Sequence, residues 1–370
     1  MSAVNSLNVG PLKKKPGAQG REPARSFRNF FGIFLLLLIA ASSSFSQSAR
    51  SILPGPQPVD APPEWKTLLG IYADKHEPEK KTFVLLEREG KLFSHYPDGS
   101  DSEFAIIFDD FPEKTEGAKS PAKRIVKYGA AESAVLGACC NRIDPGSDSS
   151  KSYLVKPQRP VEELRREALT ATPPEEDRSF RKPDLIELAT LDPDIHLDIR
   201  YASSNDFLGT PVYTQARAFL QRPAAEALLR VLQKLKPLGY GLLIHDGYRP
   251  WYVTKIFWDA TPAEGKIFVA DPAQGSRHNR GCAVDLTLYD LKTGNPIEMT
   301  GGYDEMSPRS FPNFPGGTSL QRWHRDLLRS AMESEDFTVY ESEWWHFDYK
   351  DWHEYGILNI PFEKLNMKSN

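Results

Sequence analysis

Two short segments concentrate the side chains that could do chemistry. The first runs Ser276-Arg277-His278-Asn279-Arg280-Gly281-Cys282-Ala283-Val284-Asp285, the second Glu343-Trp344-Trp345-His346. Between them they supply two imidazoles and two carboxylates. A catalytic zinc ion takes three protein ligands and keeps one position open. It lowers the pKa of a water from 15.7 to about 7, and a carboxylate that is not a ligand can then move that water's proton to a leaving amine. His278, Asp285 and His346 fit the ligand set and Glu343 fits the base, so one Zn2+ per chain is the expected cofactor. Cysteine does not compete. The chain has three, two of them adjacent at Cys139 and Cys140, which allows neither a disulfide framework nor a spaced zinc pair. Cys282 lies between the ligands, but alternation along the following strand turns it away from the Asp285 face.

Each of these groups needs an element to aim it. Gly281 permits a tight turn between His278 and a strand over Ala283–Leu288, on which Ala283, Asp285 and Thr287 share a face. Glu343 and His346 are three apart, and a regular strand would send them to opposite faces. The chain must therefore bend or bulge before Trp345. Around these segments, Pro223 opens a helix with apolar Ala227, Leu228, Val231, Leu232 and Leu235 at the 3.6 period, and Gly239 closes it. Tyr240–His245 reads as a strand. Thr318 and Gln321 make a capping box for a helix to about Met332, and Phe337–Tyr340 and Trp344–Tyr349 are aromatic-rich strands. Helices and strands mixed without strict alternation imply an α+β domain.

The two segments resemble the signatures of the M15 zinc peptidases, Ser-x-His-x-x-x-x-x-x-Asp followed by Glu-x-x-His. Within that family the likeness is greatest to D-alanyl-D-alanine dipeptidases of the vancomycin-resistance type, and it covers most of residues 183–370. Leu197-Asp198-Ile199-Arg200-Tyr201-Ala202, Asn205-Asp206-Phe207-Leu208-Gly209, Asp246-Gly247-Tyr248-Arg249-Pro250, Asp285-Leu286-Thr287-Leu288, Met306-Ser307 and Glu343-Trp344-Trp345-His346-Phe347 carry it, in that order. The resemblance implies the fold shared by hedgehog signalling domains and D,D-peptidases. It implies that Arg249 stabilises the oxyanion of peptide hydrolysis; a plain salt bridge to Asp246 is the competing role. It also implies that Asp304 receives the substrate's ammonium, against a simple surface-loop carboxylate. Ser276 either binds substrate or braces the ligand turn, and Tyr201 and Tyr213 either touch substrate or pack in the wall. Trp344 and Trp345 are expected to wall the cleft. His196, His245, His324 and His353 lack a partner at ligand spacing, so surface or supporting positions are expected for them.

The rest of the 370-residue chain is organised differently. Lys13, Lys14, Lys15, Arg21, Arg25 and Arg28 precede an apolar run from Phe30 to Ala41, then small residues to Ser46. That order is a secretory signal over residues 1–46, or else an uncleaved tether through residues 30–45. Either reading places the body outside the cytoplasm, periplasmic or extracellular. Residues 47–62 read as a proline-rich linker, 63–157 as a small β-rich accessory domain with a hairpin about Gly90, and 158–182 as a second linker with a short helix at Val161–Ala168. Further strands are expected at Phe104–Phe108, Ile125–Tyr128 and Tyr153–Val155. The zinc domain follows over 183–370. A net charge of −4 offers no footprint for nucleic acid.

Three functions fit this inventory. The first is an exported zinc dipeptidase acting on D-Ala-D-Ala. The second is the same chemistry on longer peptidoglycan stems, as a carboxypeptidase or endopeptidase. The third is a zinc-binding protein without catalysis, which would need neither Glu343 nor Arg249.

Overall fold

The computed structural model describes residues 52–79, 81–104, 140–144 and 153–365. The expected export signal or tether and the strand expected at Ile125–Tyr128 lie outside the described residues. The first strands, β1 (Gly70–Asp74), β2 (Thr82–Arg88), β3 (Lys91–His95), β4 (Asp101–Phe104) and β5 (Cys140–Arg142), pair antiparallel in the order β4-β3-β2-β1-β5. The expected hairpin joins β2 to β3 through Glu89 and Gly90, both at positive φ, the backbone that a two-residue turn between twisted strands requires. Of the strand expected at Phe104–Phe108 only Phe104 is described, as the last residue of β4; residues 105–108 lie outside the described residues. No strand forms at Tyr153–Val155, where the Val155 N–H donates instead to the Phe207 carbonyl at 2.7 Å.

This sheet has its own apolar cluster, built on Leu68, Leu69, Tyr72, Leu85 and Leu92. It is nonetheless docked on the remainder. Glu87, 1% exposed, accepts the Gly90 N–H at 2.7 Å and the Ser319 N–H at 2.6 Å, the latter at the start of a long helix. Its own N–H donates to the Gly317 carbonyl at 3.1 Å.

Two short strands, β6 (Leu185–Glu187) and β8 (Phe219–Gln221), pair beside the main sheet. That sheet contains β7 (Ile195–Leu197), β9 (Tyr240–Asp246), β10 (Ala283–Asp290), β11 (Phe337–Tyr340) and β12 (Glu343–Tyr349) in the order β11-β12-β10-β9-β7. Neighbours are antiparallel except β7 with β9. The helices of ten residues or more among the described residues are α1 (Val161–Thr170), α2 (Arg222–Leu235), α3 (Trp251–Ala260) and α4 (Ser319–Glu333). The arrangement is α+β, as the pattern implies.

Local chemistry explains most of these boundaries. Pro223 sits in the first turn of α2, and Gly239 at φ +91° ends the turn that follows it. Thr318 and Gln321 form both halves of the capping box on α4. The amphipathic faces of α2 and α4 pack on the sheet, and β9 and β12 are buried on both sides over nearly their whole length.

Residues 158–182, expected to be a linker, are instead part of the body. Val161, Leu164 and Ala168 of α1 enter the main core against α3. Glu176 then accepts from Arg280 at 2.7 Å and from the Ile357 N–H at 2.8 Å. The proline-rich stretch is likewise tied down from Ile52, which is 2% exposed, and the Trp323 indole donates to the Gly55 carbonyl at 3.0 Å. Among the described residues no helix is long and apolar enough to cross a membrane.

Candidate active site

Three strands and one turn converge at the end of the main sheet. On β10, Asp285 stands directly opposite His346 of β12. His278 opens a 3-10 turn closed by Gly281 at φ +70°, where an added Cβ would lie 2.6 Å from the Leu185 side chain. The turn is stitched to the next segment: the Arg249 N–H donates to the His278 carbonyl at 3.1 Å, and the Asn279 amide to the Arg249 carbonyl at 2.9 Å.

The three groups expected as ligands meet. His278 Nε2 lies 3.1 Å from His346 Nδ1 and 3.3 Å from Asp285 Oδ1, and His346 Nδ1 lies 3.0 Å from that same oxygen. Ligands about 2.0–2.2 Å from a tetrahedral ion stand roughly 3.3 Å apart, so the triangle has the size such an ion needs. The partners of the outer ring nitrogens set the tautomers that would present lone pairs to an ion. His278 Nδ1 must donate to the Gly247 carbonyl at 2.7 Å, and His346 Nε2 must donate to the Asp348 carboxylate at 3.0 Å. In the neutral tautomers that those bonds select, both facing nitrogens are bare, and Asp285 Oδ1 is buried with no partner besides the two imidazoles. Three lone pairs aimed at one point fit a cation, and partners of this kind orient metal ligands. It is the single cluster of this type among the described residues.

Glu343 reaches the same side because β12 is irregular. Val339 pairs with Phe347 but Tyr340 pairs with Glu343, so the strand bulges where the spacing requires it. The Glu343 carboxylate lies 3.7 Å from His346 Nδ1. Burial pushes its pKa up to about 7, with His346 and Arg249 opposing and Asp285 adding.

Arg249 forms the salt bridge to Asp246, through Nε at 2.9 Å and Nη2 at 2.8 Å, and still faces the cavity. Its guanidinium lies against Phe257 and Tyr201, 4.9 and 5.4 Å from the ring centres. Burial works against its charge, but neighbouring Asp246 holds it firmly protonated. The Asp246 carboxylate is itself fixed by the Tyr213 hydroxyl at 2.7 Å and the Gly247 N–H at 2.9 Å. Tyr213 is therefore a support. Tyr201 lines the cavity and donates to Asp304 at 2.7 Å.

The cavity holds about 640 Å3. Asp304 is part of its wall rather than a free surface carboxylate, and burial, together with Asp285 and Glu343, pushes its pKa well above the usual carboxylate range. Ser276 braces the ligand turn by accepting the His278 N–H at 3.2 Å, while also lining the cavity. Trp344 and Trp345 do not wall the cleft. Their strand is buried on both faces, and both indoles pack in the core, Trp345 against Tyr303. Trp258 and Trp352 line the cavity instead. Cys282 is fully buried, its thiol pushed up by burial, and stands outside the ligand cluster. His245 and His324 are buried rather than superficial. His245 stacks on Tyr303, and His324 meets the Tyr240 hydroxyl at 3.0 Å.

Comparison with known proteins decides the family. A family model described as D-ala-D-ala dipeptidase, of the M15 peptidases, matches residues 181–363. The D-alanyl-D-alanine dipeptidase of Escherichia coli (strain K12) is 35% identical over 179 residues, 48% of this chain and 91% of that protein. The chain belongs to the M15 peptidases. Proteins of the same name from Enterococcus faecium, 35% identical, and Streptomyces coelicolor, 34% identical, each align over 175 residues, 42% of this chain and 87% of theirs. M15 membership makes the chain a metal-dependent peptide hydrolase, and the His278, Asp285 and His346 cluster offers the metal site.

Several supports of this M15 site have little or no signature in the sequence. Asp348 follows His346 by two on one strand and so shares its face, a signal that was available. The Gly247 carbonyl and the Tyr303 hydroxyl, which donates to Asp285 Oδ2 at 3.1 Å, have no sequence signature.

Proposed function

We propose that this M15 peptidase hydrolyses D-Ala-D-Ala, with one zinc ion held by His278, Asp285 and His346. The observation that carries the reading is one cavity lined by a ligand triangle of tetrahedral size, the Glu343 carboxylate 3.7 Å from one ligand, a fixed guanidinium and a separate acid at Asp304. When bound, zinc would supply Lewis acidity to the scissile carbonyl and to water. Glu343 takes a proton from the attacking water and delivers it to the departing amine, so that one peptide bond and one water become two D-alanines. Arg249 meets the negative charge that grows on the carbonyl oxygen, held in place beforehand by Asp246. Asp304 pairs with the substrate's ammonium, and Ser276 offers a hydroxyl to the dipeptide. Glu343 and Arg249, both aimed into the cavity, weigh against a zinc-binding protein without catalysis.

The cavity's size favours a second reading as well. Pockets of roughly 300–1,000 Å3 hold drug-sized ligands, whereas dialanine has only about a dozen non-hydrogen atoms. Cleavage of longer peptidoglycan stems is therefore kept beside the dipeptide. The basic and apolar order of residues 13–46 supports export to the periplasm or beyond, cleaved or tethered through residues 30–45. Residues 63–157 are proposed as a β-rich accessory unit to a hedgehog-like D,D-peptidase fold over 183–370. The test is incubation of the purified protein with D-Ala-D-Ala, L-Ala-L-Ala and a pentapeptide stem, with and without chelator. Selective, chelator-sensitive cleavage of the first is expected. Cleavage of the stem alone moves the assignment to the second reading, and no cleavage of any of them removes both.

A further inference from the structure

We propose that Tyr303 is a positioning residue that keeps Asp285 to a single metal contact and ties the metal site to Asp304; this rests on the zinc reading above. The Tyr303 hydroxyl donates to Asp285 Oδ2 at 3.1 Å, and Arg249 Nη2 lies 3.8 Å from the same oxygen. Oδ1, the oxygen facing both histidines, is left with no other partner. A carboxylate free to turn could offer both oxygens to the ion and fill the position that a catalytic site keeps open. A hydroxyl on Oδ2 opposes that turn.

The ring is held so that its hydroxyl cannot wander. His245 stacks on it with centres 4.4 Å apart and planes 14° apart, and Trp345 meets it edge-on at 5.6 Å. Tyr303 itself is 3% exposed. The next residue completes the device. Asp304 has φ +56°, a left-handed backbone uncommon outside glycine. With the chain turned there, two consecutive side chains serve one site: Tyr303 bonds the ligand Asp285, and Asp304 lines the cavity with Tyr201 on its carboxylate.

Glu305 closes the loop by accepting the Gly302 N–H at 2.8 Å and the Ser307 hydroxyl at 2.5 Å. Metal ligand and substrate-facing acid are thus set by one short, internally bonded segment.

The test compares wild type with Tyr303→Phe, which keeps the ring and its stack on His245, and with Asp304→Asn. Zinc affinity is read by competition with a chromophoric chelator, ligand geometry by the visible absorption of the cobalt-substituted protein, and kcat and KM on D-Ala-D-Ala. Tyr303→Phe is expected to lose about 10–100-fold in metal affinity, to change the cobalt bands as the second Asp285 oxygen takes the open position, and to lower kcat more than KM. Asp304→Asn is expected to raise KM with the cobalt bands unchanged. A Tyr303→Phe protein with wild-type zinc affinity and cobalt bands overturns the inference while leaving the zinc reading intact. A wild-type protein that takes up neither ion overturns both.

Discussion

Replacing Arg249 by lysine keeps the positive charge and removes the geometry, and the structure says what that costs. The guanidinium places two nitrogens on Asp246 Oδ2, at 2.9 and 2.8 Å, while the rest of the group faces the cavity. An ammonium has one nitrogen. It can satisfy Asp246 or reach the cavity, but not both, so the charge no longer meets the developing oxyanion without leaving a buried carboxylate unpaired. Losing one such donor typically costs 10²–10³-fold in kcat, about 2.7–4 kcal/mol. Steady-state kinetics on D-Ala-D-Ala should show that loss in kcat, with KM changed little and the melting temperature nearly kept. Arg249→Ala should add a stability cost of about 3–5 kcal/mol, because Asp246 then stays buried without a cation. The perturbation would also reach the metal, since the carbonyl of Gly247, whose N–H bonds Asp246, holds His278. An Arg249→Lys enzyme within threefold of the wild-type kcat would refute the oxyanion role.

Other perturbations give equally definite expectations. Glu343→Gln should lower kcat by about 10²–10⁴-fold, the usual worth of a positioned base, as measured on the same substrate. A base works only when deprotonated, and burial raises the Glu343 pKa to about 7. The rate should therefore fall as pH drops through that value, or through a lower one once a cation lies beside the carboxylate, and the acid limb should vanish in the glutamine variant. Glu87→Ala removes the acceptor for the Ser319 and Gly90 N–H groups and should destabilise the protein by about 1–3 kcal/mol in thermal or denaturant unfolding, with kcat unchanged in the folded protein.

What was legible in the sequence follows from where the information is local. The capping box on α4, the proline-to-glycine span of α2 and the hairpin at Gly90 are each decided by a few neighbouring residues, and each forms where the pattern places it. His278, Asp285, His346 and Glu343 were legible from side-chain type and spacing, Arg249 only through the family resemblance, and even the bulge in β12 follows from Glu343 and His346 having to share a side. Helix α3 was not legible. Trp251–Ala260 is buried nearly all round, so no polar face marks its period. Residues 158–182 read as a linker because charge and proline dominate them. Their role depends on Glu176 meeting Arg280 and Ile357, partners more than a hundred residues away. The indoles of Trp344 and Trp345 misled for a related reason: adjacency to the site in sequence says nothing of which side of a doubly covered sheet they enter.

The central claim is that His278, Asp285 and His346 grip one ion. X-ray absorption at the zinc edge, with metal stoichiometry by mass spectrometry, tests it directly on wild type and His346→Ala. One zinc per chain is expected, with nitrogen and oxygen neighbours at about 2.0–2.2 Å and no sulfur, and the variant should lose most of the metal. Zinc bound through sulfur, or retained at full stoichiometry without His346, would contradict the account.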